Sequence, residues 1–291
     1  MTSDATAKRL LNSSAKNSYD PDIDIDWDAP LPDDKLYMPA ERISLYGTEL
    51  WEKMTPEQRT ALSKHEISSL IGTGIWFELI LMQMLVRHAF RRDPQDPSVQ
   101  YALTEIGDET RHVQMFARSL QTMGVPTYRP GRAIDVLARI YKATAWGPSL
   151  FAPVLVAEET LDRYQRSTMN DESIQPAIRM VNRIHVTEEA RHVRFAREEI
   201  ARVFPALSPL SKTYHQLLTA VVAAVIVSVL ISRDVYSAAG LDPDEALRAA
   251  HRNPYHHETK RWMGEKIMSF LSEQGMVPWF TRPIYRLVHL L

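Results

Sequence analysis

His185, Glu189 and His192 stand at i, i+4 and i+7 in the run Arg183-Ile184-His185-Val186-Thr187-Glu188-Glu189-Ala190-Arg191-His192. At about 100° per residue an α-helix brings the three side chains within roughly 60° of one another. Two imidazoles and a carboxylate then project from one stripe, and nitrogen and oxygen donors of this kind suit iron, manganese or zinc. An upstream run, Glu105-Ile106-Gly107-Asp108-Glu109-Thr110-Arg111-His112-Val113, repeats the pattern as acid-Glu-x-Arg-His-Val. It lays Glu109 over Glu189 and His112 over His192. A lone Glu-x-x-His is a common accident and reads as an exposed i,i+3 pair. Two copies sharing the preceding acid, the Arg, the His and the following Val argue for a common purpose.

Two Glu-x-x-His helices, joined by one Glu from each of two more, hold a dinuclear carboxylate centre inside a four-helix bundle. The sequence offers both missing acids. Glu78 is the single charged residue between Leu70 and Val86, and its helical neighbours Ile75, Leu81 and Met82 are apolar. A carboxylate aimed into such a core is costly unless it is paired or binds a metal. In the pair Glu158-Glu159, Glu158 has Val154, Leu155 and Leu161 around it, whereas Glu159 has Asp162 and Arg163. Glu158 is therefore the expected ligand, and Glu159 is expected to pair with Arg163 at the surface. The set would hold two metals bridged by Glu109 and Glu189. Ligand histidines need their other ring nitrogen held. Asp108 and Glu188, each just before a bridging Glu, stand where they could reach the opposite histidine, and Arg111 and Arg191 could neutralise buried acids. Glu105 occupies the place of His185 in the first repeat, with no role assigned by spacing alone.

These residues require helices to position them, and the sequence supplies the signals. Thr55-Pro56-Glu57-Gln58 is a helix start with a capping box, and that helix runs to about Arg92, with an interruption expected near Gly72-Thr73-Gly74. Asp96-Pro97 caps the helix of the first repeat, which stops at Gly124. A short helix near Ala133–Ala145 precedes Gly147-Pro148, which opens the Glu158 helix to about Met169. The second repeat lies on a helix from about Ser173 to Val203, and Ser208-Pro209 starts a fifth long one. Its stretch Leu217 to Ser232 carries no charge over 16 residues. A membrane span needs nearer 20, so a buried core or homodimer-interface helix is the expectation. The tail Pro278–Leu291 is apolar with two arginines. No strand alternation appears, and the chain reads all-α.

Composition narrows the class further. A net charge of −2 argues against a nucleic-acid partner, and the absence of Cys excludes disulfides and thiolate metal sites. That composition fits a cytoplasmic protein, and no cationic segment followed by an apolar run marks a secretory signal. Residues 1–35 hold eight Asp, and an acidic, extended N-terminal arm is expected there, with residues 36–291 forming a single domain. Asp20 to Asp24 begins like a calcium loop, but Ile25 and Leu31 stand where the turn Gly and the final Glu belong, so calcium binding is rejected.

From about Ile43 onward the chain resembles the ferritin-like di-iron N-oxygenases typified by p-aminobenzoate N-oxygenase. The resemblance rests on His185-x-x-x-Glu189-x-x-His192, because that family carries an additional histidine one turn before its second Glu-x-x-His. It implies a ferritin-like four-helix bundle with two iron ions, or manganese in substitution, at Glu78, Glu109, His112, Glu158, His185, Glu189 and His192. It further implies O2, an external electron donor and a small-molecule substrate oxygenated at an arylamine nitrogen. A radical-generating subunit like that of ribonucleotide reductase would carry a Tyr four residues after the first ligand His; Phe116 stands there. Hydroxylases and desaturases of lipids, and iron-binding bundles without oxygenase activity, are the competing classes.

Overall fold

The computed structural model describes residues 3–291, and among them the architecture is helical throughout, with one isolated parallel bridge between Leu36 and Ile174. The helices are α1 (Ser3–Lys16), α2 (Pro21–Asp24), α3 (Glu49–Lys53), α4 (Pro56–Phe90), α5 (Pro97–Met123), α6 (Arg132–Thr144), α7 (Pro148–Thr168), α8 (Pro176–Val203), α9 (Pro209–Val229), α10 (Asp234–Ala238), α11 (Pro243–Arg252), α12 (Pro254–Glu273) and α13 (Arg282–Leu287). The four that matter most are α4, α5, α7 and α8. α4 packs along α5 and α7 along α8, and the pairs meet through α5 with α8 and α4 with α7. Short connections within each pair make the partners antiparallel.

Local chemistry sets the helix ends. Thr55 Oγ1 accepts from the Gln58 N–H while Gln58 Oε1 accepts from the Thr55 N–H, with Pro56 behind them. Asp96 caps α5 through Ser98 N at 2.8 Å, and Gly124 closes it in the left-handed conformation at φ 64°. α8 begins at Pro176 rather than near Ser173, because Asp171 accepts from Ser173 N and Oγ and holds that stretch in a turn.

Two expectations are corrected here. The helix carrying Glu78 is not interrupted at Gly72-Thr73-Gly74 but is continuous over 35 residues. Gly72 is required for packing: a Cβ there would sit 2.3 Å from the Tyr128 carbonyl oxygen. The acidic N-terminal stretch is not extended throughout, since Ser3–Lys16 is helical. Ala7, Leu10 and Ser14 are buried at helical spacing, and α1 lies against α5 and α8. Three apolar or small positions a turn apart were enough to dock a segment whose overall polarity suggested an arm.

α7 carries Pro153 in its interior, which removes a hydrogen bond to the Ser149 carbonyl. The Tyr141 hydroxyl of α6 donates to that oxygen at 3.0 Å, so the break is repaired by the neighbouring helix. α9 and α12 both pack on α7, α13 packs on α9, and α10 packs on α4. The apolar stretch of α9 is thus partly core, with Ala220, Ala223, Ile226 and Val227 buried and Leu217 and Val221 exposed.

Candidate metal centre

Each bundle helix turns at least one acid to the same interior point, and α5 and α8 add histidines. On α5 the residues Glu105, Asp108, Glu109 and His112 are all buried, as are His185, Glu188, Glu189 and His192 on α8. Glu78 enters from α4 and Glu158 from α7, at 2% and 4% exposure. The structure therefore brings together all seven expected ligand residues and both expected supporting acids.

The ring nitrogens are divided between inside and outside. His112 Nδ1 lies 2.8 Å from Glu109 Oε2, and His192 Nδ1 lies 2.8 Å from Glu109 Oε1 and 3.0 Å from Glu189 Oε2. Their other nitrogens cross to the opposite helix: His112 Nε2 is 3.0 Å from Glu188 Oε2, and His192 Nε2 is 3.2 Å from Asp108 Oδ2. A carboxylate that accepts the outer N–H fixes the tautomer and leaves the inner nitrogen a lone pair. His185 is turned the other way round. Its Nδ1 meets Gln165 Oε1 at 2.7 Å, and its Nε2 faces Glu78 at 3.4 Å and Glu158 at 4.0 Å. Phe116 packs on this ring at 5.0 Å between centroids.

Donor atoms of Glu109, His112 and Glu189 lie within 4.8 Å of one another, as do those of Glu158, His185 and Glu189, of Glu78, His112 and His185, and of Glu105, Glu109 and His192. Sets that overlap through shared residues describe one extended site rather than isolated triads. Glu78, Glu105 and Glu189 each keep a buried carboxylate oxygen with no hydrogen-bond partner. By contrast Glu66, another fully buried acid on α4, is satisfied by Ser44 N at 3.0 Å and Ser44 Oγ at 2.5 Å. An orphaned buried carboxylate oxygen is expensive and is what a cation would relieve.

Charge gives the same answer. Arg111 pairs with Asp108 and lies 3.5 Å from Glu188, while Arg191 lies 3.4 Å from Asp108 and 3.7 Å from Glu188. The two arginines thus balance the two supporting acids. Five buried carboxylates remain: the four expected ligands, Glu78, Glu109, Glu158 and Glu189, whose charge equals that of two divalent ions, and Glu105 beside them. Without such ions, burial and mutual repulsion push Glu78 and Glu158 well above the ordinary carboxylate range. Burial would raise Glu109 too, but His192 and His112 outweigh it and hold it well below. Burial likewise lifts Glu105 to about 8. At His112 burial is outweighed by Glu109 and Glu188, which raise it to about 9, whereas burial and His112 hold His185 well below its usual value. His185 is therefore a neutral donor, and metal entry at the other two histidines displaces protons. The residues present fit a pair of divalent, oxygen- and nitrogen-loving ions.

Sequence reasoning missed two contributors, Gln165 and the segment after α1, and left a third, Glu105, without a role. Gln165 lies at i+7 from Glu158, a spacing that puts it on the same face of α7. Glu105 is drawn into the cluster beside Glu109 and His192. The segment after α1 covers the outer acids: Tyr19 N donates to Glu188 Oε1 at 3.1 Å, and Arg191 donates to the Asn17 carbonyl at 3.1 Å. Glu159 corrects an expectation. It is 5% exposed and bonded to Arg197 of α8, while Arg163 turns to Trp262 and Glu265 of α12. It nonetheless stays outside the cluster, as the facing argument required.

A cavity of about 150 Å³ lies between α4, α6, α7 and α9 and is bordered at its inner end by Glu158. The rest of its wall is almost entirely apolar.

The family model described as P-aminobenzoate N-oxygenase AurF matches residues 1–275. The chain is 27% identical over 218 residues to the uncharacterized proteins Rv0885 of Mycobacterium tuberculosis and Mb0909 of Mycobacterium bovis. The alignment spans 72% of this chain but 63% of theirs, less than two thirds of the relatives' length. Among solved structures, a variant of an R2-like ligand-binding oxidase with anaerobically reconstituted Mn/Fe cofactor superposes with a TM-score of 0.55 at 13% identity, covering 94% of this chain and 93% of that one. An aerobically reconstituted variant gives 0.54 at 15%, covering 94% of each. At such identity the likeness shows the fold, the all-α, ferritin-like bundle expected from the sequence.

Proposed function

The chain belongs to the p-aminobenzoate N-oxygenase AurF family, and from that premise we propose that it is an O2-dependent, dinuclear metal oxygenase of a small substrate, with an arylamine nitrogen as the oxygenated atom. The observation that carries the reading is the buried cluster itself. Seven donors converge from four helices, and each histidine has its outer nitrogen already taken.

In this reading Glu78, Glu109, His112, Glu158, His185, Glu189 and His192 hold two iron ions, with manganese as the substitute. The Mn/Fe cofactor named for the R2-like neighbours supports that pair of metals. When bound, the ions would supply the redox chemistry that activates O2. The protein's part is positional. Asp108 and Glu188 hold His192 and His112, and Gln165 holds His185, so that the three inner ring nitrogens face the site without rearrangement of the rings. Against burial, His192 and then Arg111 hold Asp108 below the usual carboxylate range, His112 and the Tyr19 N–H do the same for Glu188, and the segment from Asn17 to Tyr19 covers both acids. Oxygenating an amine to a hydroxylamine inserts one oxygen atom and releases the other as water. That takes two electrons and two protons, so an external electron donor is part of the proposal. Nitrogen is the favoured target because His185 adds a neutral donor beyond the six-ligand set of hydroxylases and desaturases, and the family is described by an N-oxygenase.

One observation favours a second reading, oxygenation or desaturation at carbon: the cavity meeting Glu158 is apolar. A single-turnover experiment separates the two. Reduced protein mixed with O2 and a panel of arylamines should give hydroxylamine or nitro products by mass. Turnover of alkyl or acyl substrates with no arylamine oxidation at any ratio would move the assignment to carbon.

A further inference from the structure

The cavity beside Glu158 has an unusual economy of polar atoms. Of the residues around it, only Trp76, Tyr141 and Glu158 carry a polar side-chain atom. Trp76 Nε1 donates to Asp135 Oδ1 at 3.1 Å, which ties α4 to α6. The Tyr141 hydroxyl is committed to the Ser149 carbonyl that Pro153 leaves free. The wall's peptide groups belong to helices and are bonded within them. What remains open to an occupant is Glu158 at one end and hydrocarbon everywhere else, from side chains such as Phe77, Ile80, Leu218 and Val222. At the other end Leu137, Ile140 and Val221 border the cavity and are 46%, 54% and 48% exposed. The opening therefore lies between α6 and α9.

We propose that this cavity binds the body of an uncharged, apolar substrate, an aryl ring or alkyl segment, which enters between α6 and α9 and presents its reacting atom beside Glu158. The proposal rests on the oxygenase reading for what happens at that atom, but not for the binding itself. A volume of about 150 Å³ matches one ring or a short alkyl segment. A longer substrate would lay its remainder along the exposed apolar residues at the opening. An anionic group inside would lose its water and meet no donor or cation, and a cationic group away from Glu158 would meet only hydrocarbon. A substrate with a carboxylate para to its amine is consequently disfavoured here, since the carboxylate would be carried into hydrocarbon.

The test uses the full-length, metal-loaded protein without O2 or reductant and measures binding by calorimetry. 4-Butylaniline should bind at least tenfold more tightly than 4-aminobenzoate. Val222→Trp, which fills the cavity, should weaken 4-butylaniline at least tenfold with metal content unchanged. Leu137→Asp, at an exposed position where folding is not at stake, should weaken it several-fold by charging the opening. Equal or tighter binding of 4-aminobenzoate would overturn the proposal, and so would neutral-probe affinity unchanged in both variants. Because no turnover is read, a protein that binds 4-butylaniline but oxygenates no amine would refute the arylamine N-oxygenation reading and leave the cavity assignment standing.

Discussion

Replacing Gln165 by Met probes the third histidine without touching any ligand. Gln165 Oε1 lies 2.7 Å from His185 Nδ1, and the two residues are 8% and 1% exposed. Methionine keeps the length and removes the acceptor. The His185 N–H is then buried without a partner, which costs about 1–3 kcal/mol. Freed of its anchor, the ring can rotate and its Nε2 no longer stays aimed at Glu78 and Glu158. Loss of such an outer partner typically lowers metal affinity 10–100-fold, about 1.4–2.7 kcal/mol. The two estimates overlap, so tenfold is the least effect expected. The assay is chelator competition for ferrous iron, with thermal melting of the same samples to separate lost affinity from lost fold. Gln165→Glu keeps an acceptor oxygen and should restore affinity to within about threefold of the parent. Parental iron affinity and absorption in Gln165→Met would refute the reasoning, and equal failure of Gln165→Glu would show that packing, not the hydrogen bond, was at issue.

Glu158→Ala should lose bound metal, whereas Glu159→Ala should keep it and cost about 1 kcal/mol of stability, because the Arg197 left behind is 31% exposed and can reach water; the reverse pattern in metal analysis would overturn the assignment of faces on α7. Glu66 gives a pH signature away from the metals. Burial raises its carboxyl to about 7 against the Ser44 hydrogen bonds. The folded protein then keeps a proton that the unfolded chain releases near 4.5. Glu66 therefore opposes folding increasingly as pH rises from about 4.5 to 7, and by a constant amount above. Glu66→Gln removes that opposition, so its stability relative to the parent should improve by about 2–3 kcal/mol between pH 5 and pH 8. Denaturant unfolding giving the same difference at both pH values would contradict this.

What the sequence disclosed and what it withheld divide along the range of the interactions. The repeat around Glu109 and Glu189, the isolated charge of Glu78 and the caps at Thr55 and Asp96 are local patterns, legible because a helix converts spacing into direction. The choice of Glu158 over Glu159 was of the same kind. The partner of Glu159 was not, since a helix-local rule offers Arg163 while the fold supplies Arg197 from α8. Gln165 carried a usable signal in its i+7 spacing from Glu158, but an amide next to a cluster of acids attracts no attention until His185 is seen beside it. The N-terminal helix was hidden by its composition, because Ala7, Leu10 and Ser14 bury one narrow face under a polar average. The cavity needed the most: α4, the α6–α7 pair and α9, separated along the chain, had to be brought together before its walls existed.

Metal content of the purified, iron-supplied protein tests the central claim most directly. The four expected ligand carboxylates and three inward-facing histidines predict two ions per chain, iron by preference and manganese in its place. Saturation at a single zinc ion per chain would contradict the dinuclear centre and everything proposed from it.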